Sequence, residues 1–570
     1  TNYRMVAGDQ ALLGTKTGSV ATPWLDVSDS RSLFVGRELT PLGMKQIEIP
    51  LQSEKTGSYR MLERLPAILS WSLLALPFIL SQISPLVTVI FILSYLLLWF
   101  ARMIGLNIRV LQGYATMKTH EKLHWDKLLD DVEDRVVHHK GAPAWHARNI
   151  ERINKVAPKI KPSEAVHVMM VAVYNESRDV VEPTIQSVLA SNYDMKKVIL
   201  WIAYEERGGA DVAAMCQDLV KQYGSQFMFA EAVAHPDGMP NEVRGKGGNI
   251  TYAGRELQKR LEKEGIDPMR VQVTTLDSDN RPHPNYIAAL TYMFCLCPDP
   301  RYVSFQPIPI YTNNIWDVPA LMRVIATGNS FWNITLSLRP HMIRNFSSHA
   351  QGMQALIDTD FWSVRTIVED GHQFWRTYFR YDGRHDVYPV YIPIYQDAVL
   401  SEGYRRTLKA QFIQIRRWAW GASDIAYVWT KLFLAPNKVS KIDGIAKLGR
   451  LIESHVSWAT APLILAFSAF IPILFNPQDI AANQLPNIAS RIQTVAMIGL
   501  AITLFLSFKS LPPKPARYKR HRTVFMVLQW VLLPVTTIFY NSGAALVSQT
   551  RLFFGWYLDK FDVTEKAVKK

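Results

Sequence analysis

The chain has 570 residues, of which 48% are hydrophobic, and a formal net charge of +14; its mean hydropathy of zero averages over very uneven segments. Three cysteines, Cys216, Cys295 and Cys297, exclude a disulfide-framed secreted domain at this length and suit a reducing compartment. Much of the positive charge gathers beside apolar runs, where anionic headgroups are the expected partner, so a nucleic-acid partner is not expected.

Residues 1–64 are polar and mixed, with no strong period, and read as a cytoplasmic N-terminal leader. From Leu65 to Ala101 there is no Asp, Glu, Lys or Arg, a stretch well beyond the ~20 residues that one bilayer helix needs. Ser84-Pro85 lies near its middle, where a proline opens a second helix more readily than it sits inside one. Residues 65–105 are therefore expected to form a transmembrane hairpin of two helices. Arg60 and Arg64 precede it and Arg102 and Arg109 follow it, which places both flanks in the cytoplasm. Residues 106–165 read as a helical connector. His120, His124, His138 and His139 lie there without a converging acidic or cysteine set, so a solvated helix is expected rather than a metal site.

Residues 166–400 alternate between strand and helix patterns. Val166–Val173 is a continuous apolar run, as a buried parallel strand requires, and the loop Tyr174-Asn175-Glu176-Ser177 follows it. A helix over Val180–Ala190, a strand over Lys197–Ala203, a helix over Ala210–Tyr223 and a strand over Gln226–Ala232 complete a nucleotide-binding βαβα pattern, with the ligand expected beyond the C-terminal strand ends. Val271–Asp279 reads as a strand ending in two carboxylates one residue apart. A divalent cation that carries a diphosphate needs oxygen ligands at such a place, although a solvated turn has the same pattern. The Cys295-Leu296-Cys297 pair sits in an apolar run and reads as small buried hydrophobes. Glu369-Asp370 forms a second carboxylate pair, suited either to accepting a proton from a hydroxyl or to complementing a helix dipole.

Residues 401–450 are expected to form amphipathic interface helices. Gln414, Arg417 and Trp418 stand at i, i+3 and i+4 and so share one helical face, where an arginine can hold a diphosphate and an indole can stack on a sugar. The alternative is an interfacial helix with snorkelling arginines and belt tryptophans. Over residues 451–558, the charge-free runs Val456–Gln478, Ile492–Phe508 and Thr523–Thr550 predict three or four further spans. The basic loop 509–522 is expected inside and the loop 476–491 outside. The last run is expected to be a pair turning near Asn541-Ser542-Gly543, which returns the tail 559–570, with Lys560 and Lys566, to the cytoplasm.

Asp277-Ser278-Asp279, then Glu369-Asp370, then Gln414-Ile415-Arg416-Arg417-Trp418, in a domain bracketed by membrane helices, resembles the processive family 2 glycosyltransferases such as cellulose and hyaluronan synthases. The resemblance covers roughly residues 85–570. It implies an α/β GT-A catalytic domain with an α-helical transmembrane bundle, a multi-pass protein of the plasma or inner membrane with its catalytic domain in the cytoplasm. It further implies inverting transfer from a nucleotide-sugar donor, a UDP-sugar first, to a growing polysaccharide that is secreted through the same chain, with Mg²⁺ or Mn²⁺ as cofactor. By the same resemblance Asn175 and Glu176 border the nucleotide, Asp277 contacts it, and Asp279 with Asp277 holds the metal. Lys246, within Gly245-Lys246-Gly247-Gly248-Asn249, stands near the donor phosphates. Asp370 is the expected general base beside Glu369, and Gln414, Arg417 and Trp418 line the acceptor and diphosphate site. The chain departs from the pattern at Ala203-Tyr204-Glu205-Glu206-Arg207, where Glu205 stands in for an aspartate, and at Phe346–Gly352, which lacks the cysteine of such synthases. The second departure leaves open a lipid or small acceptor that receives one sugar; a transporter with an inactive domain is the remaining alternative. Membrane lipids, secretion partners and a second copy of the chain complete the expected partners.

Overall fold

The computed structural model describes residues 47–156, 158–519 and 521–558. The leader over residues 1–46 and the tail over 559–570, with Lys560 and Lys566, lie outside the described residues.

Helix α1 (Gly57–Ile83) is capped by the Thr56 hydroxyl, which accepts from the Tyr59 amide at 3.2 Å. Ser84 breaks it in extended conformation, and Pro85 opens helix α2 (Pro85–His120) at its first position, where its missing amide hydrogen is not needed. The hairpin of the sequence reading is thus present, but α2 continues through what reads as connector. It does so by lying tightly against the helix Ala320–Ser337, where a Cβ on Gly113 would come within 2.7 Å of the Ile334 carbonyl oxygen. The solvated-helix reading is corrected at His120, which is 4% exposed and stacks on Trp145 at 5.7 Å; His124 and His138 are exposed as expected. His139 and His146 both meet the buried Asp131, at 2.8 and 2.9 Å.

Eight strands form one mixed sheet: β1 (Val166–Val173), β2 (Val198–Glu205), β3 (Phe229–His235), β4 (Val271–Asp277), β5 (Arg281–Pro282), β6 (Val303–Tyr311), β7 (Ala350–Gly352) and β8 (Asp386–Gln396), in the order β3-β2-β1-β4-β7-β6-β8-β5. The first four are parallel, β7 runs antiparallel to both β4 and β6, β6 and β8 are parallel, and β5 is antiparallel to β8. β1 and β2 are apolar throughout because both faces are covered. Met169, Val171, Leu200 and Ile202 pack under the helices Arg178–Leu189 and Ala210–Tyr223, whereas Val168, Met170 and Trp201 face helix α3 (Lys246–Glu264) through Ile250, Ala253 and Leu257. β3 begins later than the sequence pattern predicts, since Gly224–Gln226 form a tight turn and Phe227 plugs the core before pairing starts at Ile199 and Phe229.

After the sheet come helices α4 (Glu369–Arg380) and α5 (Tyr404–Ala419). They are followed by α6 (Lys441–Phe475), α7 (Ile480–Ser510) and α8 (Arg522–Phe554). Together with α1 and α2, these last three make five helices long and apolar enough to cross a membrane. Two expectations change here. The outer loop read over 476–491 is mostly helix, because the Asp479 carboxylate caps α7 by accepting from the Ala482 amide at 2.8 Å. The final pair is instead one helix: Gly543 keeps helical backbone angles, and a π-helical segment, Thr536–Ser542, stands where the turn was expected. Contacts with α6 hold it against that helix, since Gln549 donates to the His455 carbonyl at 2.9 Å and Ser542 to that of Trp458 at 3.3 Å.

Candidate active site

The parallel strands β1, β2 and β4 end side by side, and α3 starts across their ends. The register pairs Ala172 of β1 with Asp277, the last residue of β4. Asn249, buried in the first turns of α3, donates to the Ala203 carbonyl at 2.9 Å and to that of Val173 at 3.4 Å, so it ties the helix to the ends of β2 and β1 together. The glycines around it serve close approach. A Cβ on Gly247 would come within 2.5 Å of the Ser363 carbonyl and 3.2 Å of the Glu369 Cβ, so α3 lies close against the segment before α4 and against its first side chain.

That contact brings Asp277 and the two acids of α4 around one lysine. The Lys246 ammonium donates to Asp277 Oδ1 at 2.6 Å and is deeply buried, 10% exposed. Burial alone would weaken its charge, but Asp277, Glu369 and Asp370 together hold its pKa above the ordinary lysine value. Ser347 donates to Asp277 Oδ2 at 2.6 Å, and the Asp277 amide donates to Asn280 Oδ1 at 2.9 Å. Asp279 is 6% exposed and accepts from the Asp397 amide at 3.0 Å, while Asn313 donates to its carbonyl at 3.0 Å. The β4 turn is thus fixed from the far half of the sheet, by residues that follow β6 and β8.

Glu369 and Asp370 occupy the first turn of α4. Glu369 is buried and Asp370 half-buried. Burial raises the pKa of both, and the charge of Asp370 adds to the effect on Glu369, against the opposing pull of Lys246 and Arg417. Arg417 of α5 therefore stands close enough to act on both acids. One residue on, the Trp418 ring lies 6.4 Å from that of Tyr311 at the end of β6. Burial and then the charges of Asp277, Asp279 and Asp370 push the Tyr311 hydroxyl's pKa up. Gln414 accepts from Gln411 at 3.1 Å on the same helix.

The remaining sequence-predicted residues form a second group at the ends of β1 and β2. Asn175 is exposed, and Glu176 folds back to accept from the Tyr174 amide at 2.8 Å. Glu205 pairs with Arg207 at 3.0 Å, and that guanidinium covers the Tyr174 ring at 4.3 Å. Gly208 is required beside it, since a Cβ would lie 2.0 Å from the Tyr174 carbonyl oxygen.

No protein-family model matches the chain, and no curated protein matches it. Among solved structures, it is similar to the mannosyltransferase PcManGT from Pyrobaculum calidifontis in complex with GDP-Man and Mn²⁺, at 11% identity over 76% of this chain and 99% of that one, with a TM-score of 0.35. It is similar to S. aureus TarS 1-349 in complex with UDP-GlcNAc at 9% identity, over 69% of this chain and 93% of that one, with a TM-score of 0.34. For GalNAc-T7 with UDP, GalNAc and Mn²⁺ the figures are 10%, 51% and 56%, with a TM-score of 0.29. At these scores the likeness carries no residue roles across.

Both Asp277 oxygens are engaged here, Oδ1 by Lys246 and Oδ2 by Ser347. Among the described residues no group of three or more His, Cys, Asp or Glu side chains forms a metal cage. Two carboxylates one residue apart, Asp277 and Asp279, are what a hard cation uses when phosphates and water complete its shell. Asn280, Tyr311 and Asp397 were not singled out in the sequence, and Ser347 was named only within the segment Phe346–Gly352. Asn280 directly follows the Asp-x-Asp and was within reach, whereas the other three join the site only through sheet topology.

Proposed function

We propose that the chain is a membrane-integrated glycosyltransferase of GT-A architecture that moves a sugar from a nucleotide-sugar donor to the hydroxyl of a growing polysaccharide. The observation that carries this reading is the meeting of Lys246, Asp277, Glu369 and Asp370 at the ends of parallel strands, with Arg417 acting on the same acids. A nucleotide lies beyond such strand ends. Asn175, Glu176 and Glu205 border its base and ribose, while Lys246 and Arg417 face the charge that grows on the departing diphosphate.

Asp279 and Asp277 would hold Mg²⁺ or Mn²⁺, which would supply charge neutralisation at the diphosphate. Asp370, half-buried with a raised pKa, takes the proton from the acceptor hydroxyl, and Glu369 beneath it sets the local charge. The carbon–oxygen bond to the acceptor forms as the bond to the diphosphate breaks, in one inverting displacement with no covalent enzyme intermediate. Trp418 and Tyr311 provide aromatic surface for the acceptor sugar, and Gln414 lies on the same helical face.

α5 is seated on α8, where Ile415, Phe412, Tyr540 and Ala544 share one cluster and the Phe412 and Tyr540 rings lie 6.5 Å apart. The helix that carries Gln414, Arg417 and Trp418 therefore joins the carboxylates to the candidate spans.

The test is release of nucleoside diphosphate by the purified protein across a panel of nucleotide sugars with Mg²⁺ or Mn²⁺, wild type beside Asp279→Ala. Turnover of one donor that disappears in the variant is the expected result. Silence across the whole panel in the presence of candidate acceptors would overturn the reading. The length distribution of the product then separates polymer synthesis from single transfer.

A further inference from the structure

The charge-free part of α2 ends in a corner where arginines outnumber the acid that bonds them. Arg102 lies over the Trp99 ring at 5.2 Å and donates to Glu453 of α6 at 2.5 Å. One turn earlier on α6, Arg450 donates to the His341 carbonyl at 2.9 Å. That carbonyl belongs to the loop between the helix Ala320–Ser337 and β7, which also carries Arg339. The close contact of Gly113 with Ile334 presses α2 against the end of the same helix and brings Arg109 to the corner.

The hydrogen bonds made here leave positive charge over. Arg109 donates to the Gly105 carbonyl of its own helix at 3.2 Å, and Arg339 reaches the Met342 sulfur at 3.5 Å. The Arg339 Nε is buried with no hydrogen-bond partner among the described residues. Burial, Arg109 and Arg102 lower the Arg339 pKa, and burial, Arg450, Arg339 and Arg109 lower that of His341. Glu453 is shared by Arg102 and the Ser457 hydroxyl.

The depth of the corner points to its ligand. Arg102 and Arg450 both lie where the apolar segments of their helices give way to charge, and Trp99 beside Arg102 is the residue type that settles at a membrane–water boundary. Ile104 and Ile108 on α2 are 47% and 50% exposed, so a ligand with both a phosphate and acyl chains finds a surface for each.

We propose that Arg102, Arg109, Arg339 and Arg450 form a binding site for the phosphate of an anionic membrane lipid, wedged between α2, α6 and the loop at 338–344. The site rests on reading α2 and α6 as membrane spans and is independent of the transfer reaction. Basic pockets between membrane helices on the cytoplasmic side are suited to such headgroups. A bound lipid would also bridge the first hairpin to the sheet domain, because Arg339 leaves the helix that packs on β6.

The full chain, reconstituted in nanodiscs of phosphatidylcholine doped with phosphatidylglycerol, tests the proposal by counting co-purifying lipids after transfer to neutral detergent. Wild type is expected to retain phosphatidylglycerol selectively. Arg339→Gln with Arg450→Gln should lower that selectivity by roughly fivefold per arginine, with an unchanged elution profile as the check on folding. Lys259→Gln with Lys263→Gln, which removes equal charge from the exposed face of α3, should leave it unchanged. Equal retention by the arginine double variant overturns the site, and so does an equal loss in the lysine control. Displacement of the lipid by millimolar inorganic phosphate would assign the corner to a free anion and overturn the lipid reading.

Discussion

The middle and the ends of the same parallel strands obey different rules. In the middle of β1 and β2, Met169, Val171, Leu200, Trp201 and Ile202 are fully buried and contribute to stability chiefly through apolar area. At the ends, Lys246 meets Asp277, Glu369 and Asp370 under conditions that raise the pKa of each carboxyl of α4. The middle is satisfied from within. The ends hold acids whose ionised forms are costly without a ligand, as a site poised for proton transfer requires. The difference teaches where substitution should change folding and where it should change chemistry.

The sharpest way to break this comparison is to exchange the expected outcomes. Asp370→Asn should lower transfer by about 10²–10⁴-fold while donor binding stays near wild type, read as nucleoside diphosphate release beside equilibrium donor binding. Loss of donor binding in that variant would remove Asp370 from the base role. Trp201→Ala should do the opposite. It deletes a fully buried side chain whose indole donates to the Ala253 carbonyl at 2.9 Å, at a cost of about 3–5 kcal/mol seen in thermal unfolding. Any protein that remains folded should keep its donor affinity.

The two regions also differ in how far the sequence exposed them. β1 and β2 are local: an apolar run bounded by a turn is enough to read them, and Val166–Val173 is found at the bounds read from the sequence. The acids at the ends were named from motifs, but their convergence could not be read. It depends on Gly247 touching Glu369 across 122 positions (369 − 247) and on Ser347 reaching back to Asp277. β7, the short strand that links the two halves of the sheet, has only Ala350–Gly352 and no hydropathy signal. The single final helix was missed for a similar reason, because Asn541-Ser542-Gly543 has turn chemistry that contacts with α6 override.

Between these extremes lies the support of α4. Glu48, from the segment before α1, meets Arg376 at 3.2 Å and accepts from Ser363 at 2.5 Å. Burial would raise the pKa of its carboxyl, but Arg376, Ser363 and the neighbouring groups together hold it below the usual value. Such a depressed carboxylate adds stability above the unfolded-state value that is lost as pH falls through the folded one. Arg376 is 2% exposed and keeps bonds to the Phe361 and Thr359 carbonyls. Glu48→Ala should therefore cost about 1–3 kcal/mol at neutral pH and less in acid. If it also lowered transfer at unchanged donor affinity, the middle-and-end division would need a third class, residues that aim α4 without touching substrate.

The smallest effect probes the cost of the ends directly. Glu369 is raised by burial first and by Asp370 second. For a carboxyl shifted upwards, the stability contribution is fully present below the ordinary carboxylate range and is lost as pH rises through the raised value. Glu369→Gln removes that loss, since the amide stays neutral. The variant should match wild type in thermal unfolding near pH 4 and exceed it by on the order of 1–2 kcal/mol at alkaline pH, with transfer impaired throughout. A variant less stable than wild type at high pH would mean that Lys246 needs the Glu369 charge more than burial penalises it. The ends of the strands would then be held together by the same acids to which the proposed transfer is assigned.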